Sequence, residues 1–107
     1  MKNIPEVVSA YFDADQANDV DALNHIFSDS AIVEDDGSLY RGIVEIRTWL
    51  LAMKEKYQYS IEIIDVSNTD HISTVLTQGS GNFPNSPVKL NFQFTLENDK
   101  VVKLRIY

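Results

Sequence analysis

The repeat of apolar residues changes at Tyr57, and this change limits what the chain can fold into. Before Tyr57, apolar residues recur at the spacing of helices. After it, they alternate with polar residues, as in strands that bury one face. The clearest alternation runs over residues 88–97, VKLNFQFTLE. The sequence therefore predicts helices in the first half and a sheet in the second half.

The pattern predicts three helices and five strands. The first helix covers residues 5–18, and Asp19 is the predicted N-cap of a second, short helix. A third helix covers 43–57, and a strand at 31–35 precedes it and ends in a DDGS turn. A bulge is expected at Ile63–Ile64, where the alternation breaks. The remaining predicted strands are 59–67, 71–81, 88–97 and 100–107.

This order of elements predicts an α+β fold, with three helices packed on one face of a strongly curved antiparallel sheet. The chain has 107 residues, of which 44% are hydrophobic. That is enough for a core and fits a single domain over positions 1–107.

Composition excludes several classes of function. The net charge of -7 argues against nucleic acid and membrane partners, because an acidic surface repels phosphate groups and anionic lipid. The chain has no Cys, which excludes disulfides and thiolate chemistry. The N-terminal MKNIPEVV has no apolar run typical of a signal peptide, and no apolar stretch is long enough to span a membrane. We therefore expect a cytoplasmic domain.

Three consecutive acids follow the apolar start of the strand AIVED, at positions 34–36. Successive side chains of a strand point to opposite faces, so Val33 and Asp35 share one face while Ile32 and Glu34 share the other. Each face carries a branched apolar residue, which indicates that both faces are at least partly covered. One acid is then directed towards the interior, and the spacing alone does not say which.

Residues 7–50 resemble the ketosteroid isomerase and SnoaL-like branch of the nuclear transport factor two-like superfamily. The shared pattern is a helix with an inward Tyr11, a short helix after an Asn-Asp step, a V-E-D strand end and a G-x-x-x-I-R helix. This resemblance implies a cone-shaped, cystatin-like roll with a pocket between sheet and helices. It also implies a homodimer formed through the outer sheet face, which carries Lys89, Asn91, Gln93 and Thr95.

The resemblance implies roles for single residues. Asp35 falls where the isomerases keep their general base, Tyr11 falls on their oxyanion-binding Tyr, and Trp49 falls on an aromatic residue of the pocket wall. A base near a carbon and a phenol near a carbonyl oxygen are what proton transfer beside a carbonyl requires. These two side chains supply the chemistry, so no cofactor and no metal are expected. The expected wall consists of Val33, Trp49, Leu90, Phe92 and Phe94.

The sequence departs from the isomerases at their second oxyanion acid. Alignment on the Phe-x-Phe pattern places Leu90 there, and counting back from KVV places Asn91 there. Neither is an acid, and the loss of one such donor typically costs about a hundred- to a thousand-fold in rate. Two interpretations therefore stay open. One is an isomerase, cyclase or lyase acting on a small apolar carbonyl compound, and the other is a non-catalytic ligand-binding or dimerisation module.

Other candidate sites are weaker. His25 and His71 are far apart and lack the acid spacing of a zinc site. The run 34–37 resembles a fragment of a calcium loop but lacks the remaining ligands. From the residues alone, Asp35 also fits an exposed turn acid, and Tyr11 also fits an ordinary core residue.

Overall fold

The computed structural model describes residues 3–107, which form three helices and one six-stranded sheet. A 3-10 turn at Val20–Ala22 leads into the second helix. The helices are α1 (Glu6–Ala17), α2 (Leu23–Ile26) and α3 (Gly42–Tyr57). The strands are β1 (Phe27–Asp35), β2 (Ser38–Arg41), β3 (Ser60–Thr69), β4 (Ile72–Ser80), β5 (Val88–Glu97) and β6 (Lys100–Ile106). The expected α+β class is confirmed.

The sheet has the order β2-β1-β6-β5-β4-β3, and it does not close, so β2 and β3 are its edges. All neighbouring strands are antiparallel except β1 and β6, which run parallel. The sheet expected to be antiparallel is therefore mixed, with one parallel pair. Alternation reveals which face of a strand is buried, whereas the direction of pairing depends on how α3 and the later strands return the chain to β1.

The strand β2 is an addition to the predicted elements. It pairs with β1 through a tight hairpin in which Asp35 lies opposite Ser38. The two turn residues, Asp36 and Gly37, have φ of 52° and 79°. Asp-Gly is a favoured pair for this left-handed turn, which matches the twist of antiparallel strands. The Asp-Gly pair in the sequence indicates the turn but not the short strand after it.

Two local predictions are confirmed. The register between β3 and β4 shifts between Ile63 and Asp65, which places the bulge where the alternation breaks. The Asp19 side chain accepts a hydrogen bond of 3.3 Å from the backbone N–H of Ala22, as an N-cap does.

The core lies between the helices and the inner face of the sheet. An aromatic cluster is at its centre, where the ring of Tyr11 packs edge-on against Phe12, Phe27 and Phe94. The aliphatic part of the core comes from both layers and includes Val8, Leu23, Val33, Ile46, Leu50, Val66, Val75, Val101 and Leu104. Among the described residues, no helix is both long enough and apolar enough to cross a bilayer.

Candidate active site

A cavity of about 540 Å³ lies between α3 and the inner face of the sheet. This volume is in the range of pockets that hold small organic molecules. Five of the residues predicted for the site line it, namely Tyr11, Asp35, Trp49, Leu90 and Phe92. Most of the other lining side chains are aromatic or aliphatic, including Tyr40, Met53, Tyr57, Tyr59, Ile61, Phe83, Val88 and Ile106.

Asp35, at the end of β1, directs its carboxylate to this cavity. Its Oδ2 accepts a hydrogen bond of 3.1 Å from the indole Nε1 of Trp49. Burial raises the pKa of the Asp35 carboxyl, the Trp49 hydrogen bond opposes this, and the negative charge of Asp36 adds to it. No Lys or Arg side chain within residues 3–107 forms an ion pair with Asp35. The site thus holds a carboxylate supported by one neutral donor.

The two acids beside Asp35 have other environments. Glu34 points to the outer face of the sheet, where its Oε2 lies 3.6 Å from Nε of Arg105. Asp36 is an exposed residue of the β1–β2 hairpin at the rim of the cavity. Strand alternation thus separates Glu34 from Asp35, and the hairpin turn keeps Asp36 in contact with solvent.

Tyr11 projects from α1 and is fully buried. Its hydroxyl makes no hydrogen bond to any described residue, although it is buried. Burial raises the pKa of Tyr11 well above its ordinary value, and the nearby Asp15, Tyr59 and Asp35 raise it further. The phenol is therefore protonated throughout the physiological pH range, and no described residue accepts its proton in a hydrogen bond.

Two predicted wall residues lie elsewhere. Val33 and Phe94 are completely buried in the core and do not line the cavity. Val33 precedes Asp35 by two positions, about 6–7 Å deeper along the strand, where it is covered by other core side chains. The ring of Phe94 packs against the ring of Tyr11, with centroids 5.4 Å apart. Both residues pack in the core beneath the cavity-lining side chains.

The structure also separates the two candidates for the second oxyanion position. Leu90 lines the cavity, whereas Asn91 does not. Asn91 pairs with Tyr107 through its backbone, with N···O distances of 2.7 and 3.0 Å. The side chain that faces the cavity from this part of β5 is therefore aliphatic and donates no hydrogen bond.

Three functional groups were missed by the sequence analysis. Asp15 is buried on α1, and its carboxylate accepts hydrogen bonds from the Tyr59 hydroxyl at 2.9 Å and from Lys54 Nζ at 3.1 Å. Burial raises the pKa of Asp15, and Lys54 and then Tyr59 oppose this rise. Asp15 follows Tyr11 by four positions on a helix, so the spacing that places both on one face was the available signal. The contacts with Lys54 and Tyr59 join distant parts of the chain and leave no such signal.

The two histidines lie in a different depression, formed by α1, α2 and the turns after β3 and β5. This depression is wide and rimmed by acids, and it includes neither Asp35 nor Tyr11. No group of three or more His, Cys, Asp or Glu side chains in the described part of the chain is arranged to hold a metal ion.

The chain is similar in sequence and structure to a candidate polyketide cyclase from Sinorhizobium meliloti. The two are 38% identical, the match covers 97% of this chain and 95% of that one, and the TM-score is 0.95. Two further neighbours share the fold at lower identity. A protein of ketosteroid isomerase-like fold from Catenulispora acidiphila, solved with trimethylamine, is 16% identical over 98% of this chain and 86% of that one, with a TM-score of 0.86. A candidate SnoaL-like polyketide cyclase from a Jannaschia species is 15% identical over 100% and 90%, with a TM-score of 0.80.

No protein-family model matches the sequence, and no curated protein matches it. The similarity to the Sinorhizobium protein nevertheless extends over nearly the whole of both chains, and the other neighbours share the same arrangement of helices and sheet. The chain therefore belongs to the same family as the candidate polyketide cyclase of Sinorhizobium meliloti, and it has the fold of ketosteroid isomerase-like and nuclear transport factor two-like proteins.

Proposed function

We propose that the protein is a cofactor-independent isomerase, cyclase or lyase that acts on a small apolar carbonyl compound. Asp35 is the general base and Tyr11 is the oxyanion donor in this proposal. The observation that carries the proposal is that both side chains line one cavity and neither is fully engaged by other residues of the protein. Among residues 3–107, the Tyr11 hydroxyl has no hydrogen-bond partner and the Asp35 carboxylate has no ion pair.

The reaction begins with proton transfer from carbon. Oδ1 of Asp35, which is not the oxygen bonded to Trp49, takes the proton on the carbon next to the carbonyl. The electron pair of the broken C–H bond moves onto the carbonyl oxygen, and the Tyr11 hydroxyl donates a hydrogen bond to the resulting enolate. Return of the proton to another carbon gives isomerisation, attack of the enolate on an electrophile gives cyclisation, and loss of a leaving group gives elimination.

The environment of Asp35 supports this role. Burial in the cavity raises its pKa, so the ionised carboxylate is a stronger base than a solvated one. The hydrogen bond from Trp49 fixes the orientation of the carboxylate without neutralising it. The aromatic and aliphatic side chains around it suit an apolar substrate.

A second candidate function is binding of a small apolar molecule without chemistry. Leu90 favours it, because this side chain lines the cavity and cannot donate a hydrogen bond, whereas Asn91 does not line the cavity. In this function Tyr11 is the remaining hydrogen-bond donor to the ligand. The two functions are separated by whether Asp35 is needed for turnover or only contacts the ligand.

The test measures exchange of the α-protons of α-tetralone in deuterated water, followed by proton NMR. We expect Asp35→Asn to reduce the exchange rate by about a hundred- to ten-thousand-fold, the usual contribution of a general base. Affinity, measured by quenching of the fluorescence of Trp49, should change by less than about threefold. The chain has a single Trp, so this signal comes from the cavity alone.

Glu34→Gln is the matched control, since it neutralises the adjacent acid on the opposite face of β1. It should exchange the α-protons at the wild-type rate. If the wild type and Asp35→Asn bind α-tetralone and exchange its protons equally slowly, the catalytic proposal is rejected and binding alone is retained.

A further inference from the structure

Tyr59 is anchored more firmly than the other phenols of the cavity. Its hydroxyl donates to Oδ2 of Asp15 at 2.9 Å, and its backbone carbonyl accepts from Lys54 Nζ at 3.2 Å. The same ammonium group lies 4.3 Å from the centre of its ring and 3.1 Å from Oδ1 of Asp15. Hydroxyl, ring and backbone of Tyr59 are thus all held by one buried ion pair.

The ion pair that holds Tyr59 is largely shielded from solvent. The side chains of Lys54 and Asp15 are 15% and 4% exposed. A buried ion pair is weak support for stability, because the loss of hydration offsets most of the attraction between its charges. The pair does fix the direction of the Tyr59 hydroxyl. A carboxylate only accepts hydrogen bonds, so the phenol is the donor to Asp15.

The hydrogen-bonding character of Tyr59 follows from this arrangement. A phenol has one proton, and Tyr59 donates its proton to Asp15 in a hydrogen bond. The Tyr59 oxygen therefore presents only lone pairs to other groups. Tyr11 is the reverse case, because its hydroxyl makes no hydrogen bond to a described residue and keeps its proton for a ligand. Both phenols line the cavity that also holds the carboxylate of Asp35.

We propose that the substrate is a hydroxy-carbonyl compound, with its carbonyl oxygen on Tyr11 and its hydroxyl group donating to the oxygen of Tyr59. Tyr59 is then a specificity-determining residue, and Asp15 and Lys54 are positioning residues that keep it an acceptor. This inference rests on the proposed function, because it takes Tyr11 as the donor to the substrate carbonyl. It adds a second polar group that the substrate must carry.

The experiment compares α-tetralone with its ring-hydroxylated analogues as ligands, using the fluorescence of Trp49. We expect the wild type to bind at least one hydroxylated analogue roughly three- to tenfold more tightly than α-tetralone, the gain of one neutral hydrogen bond. In Tyr59→Phe that preference should disappear, while the affinity for α-tetralone stays within about twofold. Tyr57→Phe removes another phenol from the same cavity and should keep the preference.

A second variant tests the role of the ion pair. Asp15→Asn keeps an oxygen that can accept a hydrogen bond from the Tyr59 hydroxyl. It removes the negative charge that makes Tyr59 the donor in this hydrogen bond. The preference for the hydroxylated analogue should fall, although Tyr59 is still present. A purely structural role of Asp15 would lower the unfolding midpoint and leave the ratio of the two affinities unchanged.

Each outcome bears on one proposal or on both. If the wild type binds α-tetralone and its hydroxylated analogues equally, or if Tyr59→Phe retains the preference, the inference is overturned while the proposed function is unaffected. If the preference is present but Asp35 makes no difference to proton exchange, catalysis is rejected and the binding specificity is retained. If no tetralone binds the wild type at millimolar concentration, both proposals are rejected.

Discussion

The partly buried carboxylate of Asp35 makes the stability of the protein depend on pH. Its pKa in the folded protein lies above its ordinary value of 3.8, chiefly because of burial. The folded state therefore binds this proton more tightly than the unfolded state. As a result, the free energy of unfolding falls as the pH rises from 3.8 through the raised folded value, and it stays lower above that value.

Asp35→Asn should accordingly raise the thermal unfolding midpoint at neutral pH. The amide carries no charge to bury, and its oxygen still accepts from Trp49. The gain over the wild type should vanish below pH 3.8, where the carboxyl is protonated in both states. Thermal denaturation followed by circular dichroism over a series of pH values will measure this difference.

Asp70→Asn is the control for this pH dependence. Asp70 is an exposed residue of the β3–β4 turn with φ of 52°, a conformation that Asn also tolerates. The thermal unfolding midpoint of Asp70→Asn should equal that of the wild type at every pH. An Asp35→Asn midpoint below that of the wild type at neutral pH would mean that the ionised carboxylate stabilises the fold. Higher stability of Asp35→Asn together with loss of proton exchange would support the proposed role of Asp35, because functional residues are often kept at a cost in stability.

The amount of the site that the sequence predicts depends on how local each contact is. Alternation along β1 separates Glu34 from Asp35, and the family resemblance is what chooses Asp35 as the inward acid. Helical spacing also places Asp15 on the same face of α1 as Tyr11. The bond from Tyr59 to Asp15 spans 44 positions, and no local pattern contains it. Contacts of this kind follow from the pairing of whole elements.

At the scale of elements, the end of β4 passes very close to the end of α3. A Cβ atom added at Gly81 would lie 2.7 Å from the carbonyl oxygen of Tyr57 and 2.8 Å from Cα of Tyr59. The backbone N–H of Asn82 donates to the same Tyr57 carbonyl at 2.7 Å. Gly81 thus permits the contact that holds two cavity-lining tyrosines beside the sheet.

Gly81→Ala should therefore destabilise the protein. The clashing atoms belong to backbone and to a Cβ, so they move only if α3 and β3 move with them. Forcing extra volume into a packed site typically costs about 1–3 kcal/mol, which corresponds to a fall in the unfolding midpoint of roughly 4–8 °C per kcal/mol in a small domain. Differential scanning calorimetry at neutral pH will measure the fall.

Gly79→Ala is the matched control, two positions earlier and within β4. A Cβ atom there meets nothing within 4 Å, so its midpoint should equal or exceed that of the wild type. Equal midpoints for Gly81→Ala and Gly79→Ala would show that β4 moves away from α3 at negligible cost. In that case the two elements do not hold Tyr57 and Tyr59 in place.

Elements were predicted better than their pairing. The periods of 3.6 and 2 locate the three helices and four of the six strands, and the break in alternation locates the bulge at Ile63–Ile64. The strand β1 was also found, although it begins four residues before the expected 31–35. The short strand β2 and the parallel pairing of β1 with β6 were missed. Four residues are too few to show a period, and strand direction has no signature in a hydrophobic pattern.

For the molecule as a whole, the outer face of the sheet carries a distinctive distribution of charge. In the described structure the helices pack on the inner face. The outer face has acidic side chains on the edge strand β3 and basic side chains on the interior strand β6, where Glu34 of β1 lies 3.6 Å from Arg105. Glu62 and Asp65 project outward from β3, while Lys103 and Arg105 project outward from β6. β4 and β5 separate the two pairs, and Leu76 lies between them.

We propose that two copies of the chain pair through this outer face about a two-fold axis parallel to the strands. That rotation places β3 of one copy over β6 of its partner. The acidic side chains of each β3 then face the basic side chains of the partner's β6. A two-fold axis across the strands would instead place like charges together. Leu76 is half-buried within one chain and lies near the centre of this interface, between Asp65 of β3 and Asn91 of β5.

Sedimentation velocity at micromolar concentration should therefore give the wild type twice the mass of one chain, with dissociation promoted by salt. Leu76→Glu places an unpaired charge at the centre of the interface and should weaken the dimer at least about tenfold, which is 1.4 kcal/mol. Leu51→Glu substitutes a similarly apolar residue that is 51% exposed on α3, away from the sheet, and should leave the dimer intact. A wild type that sediments as a monomer, or a Leu76→Glu variant as dimeric as Leu51→Glu, would mean that this face does not pair. A dimer that salt does not weaken would rule out the charge complementarity that selects the axis.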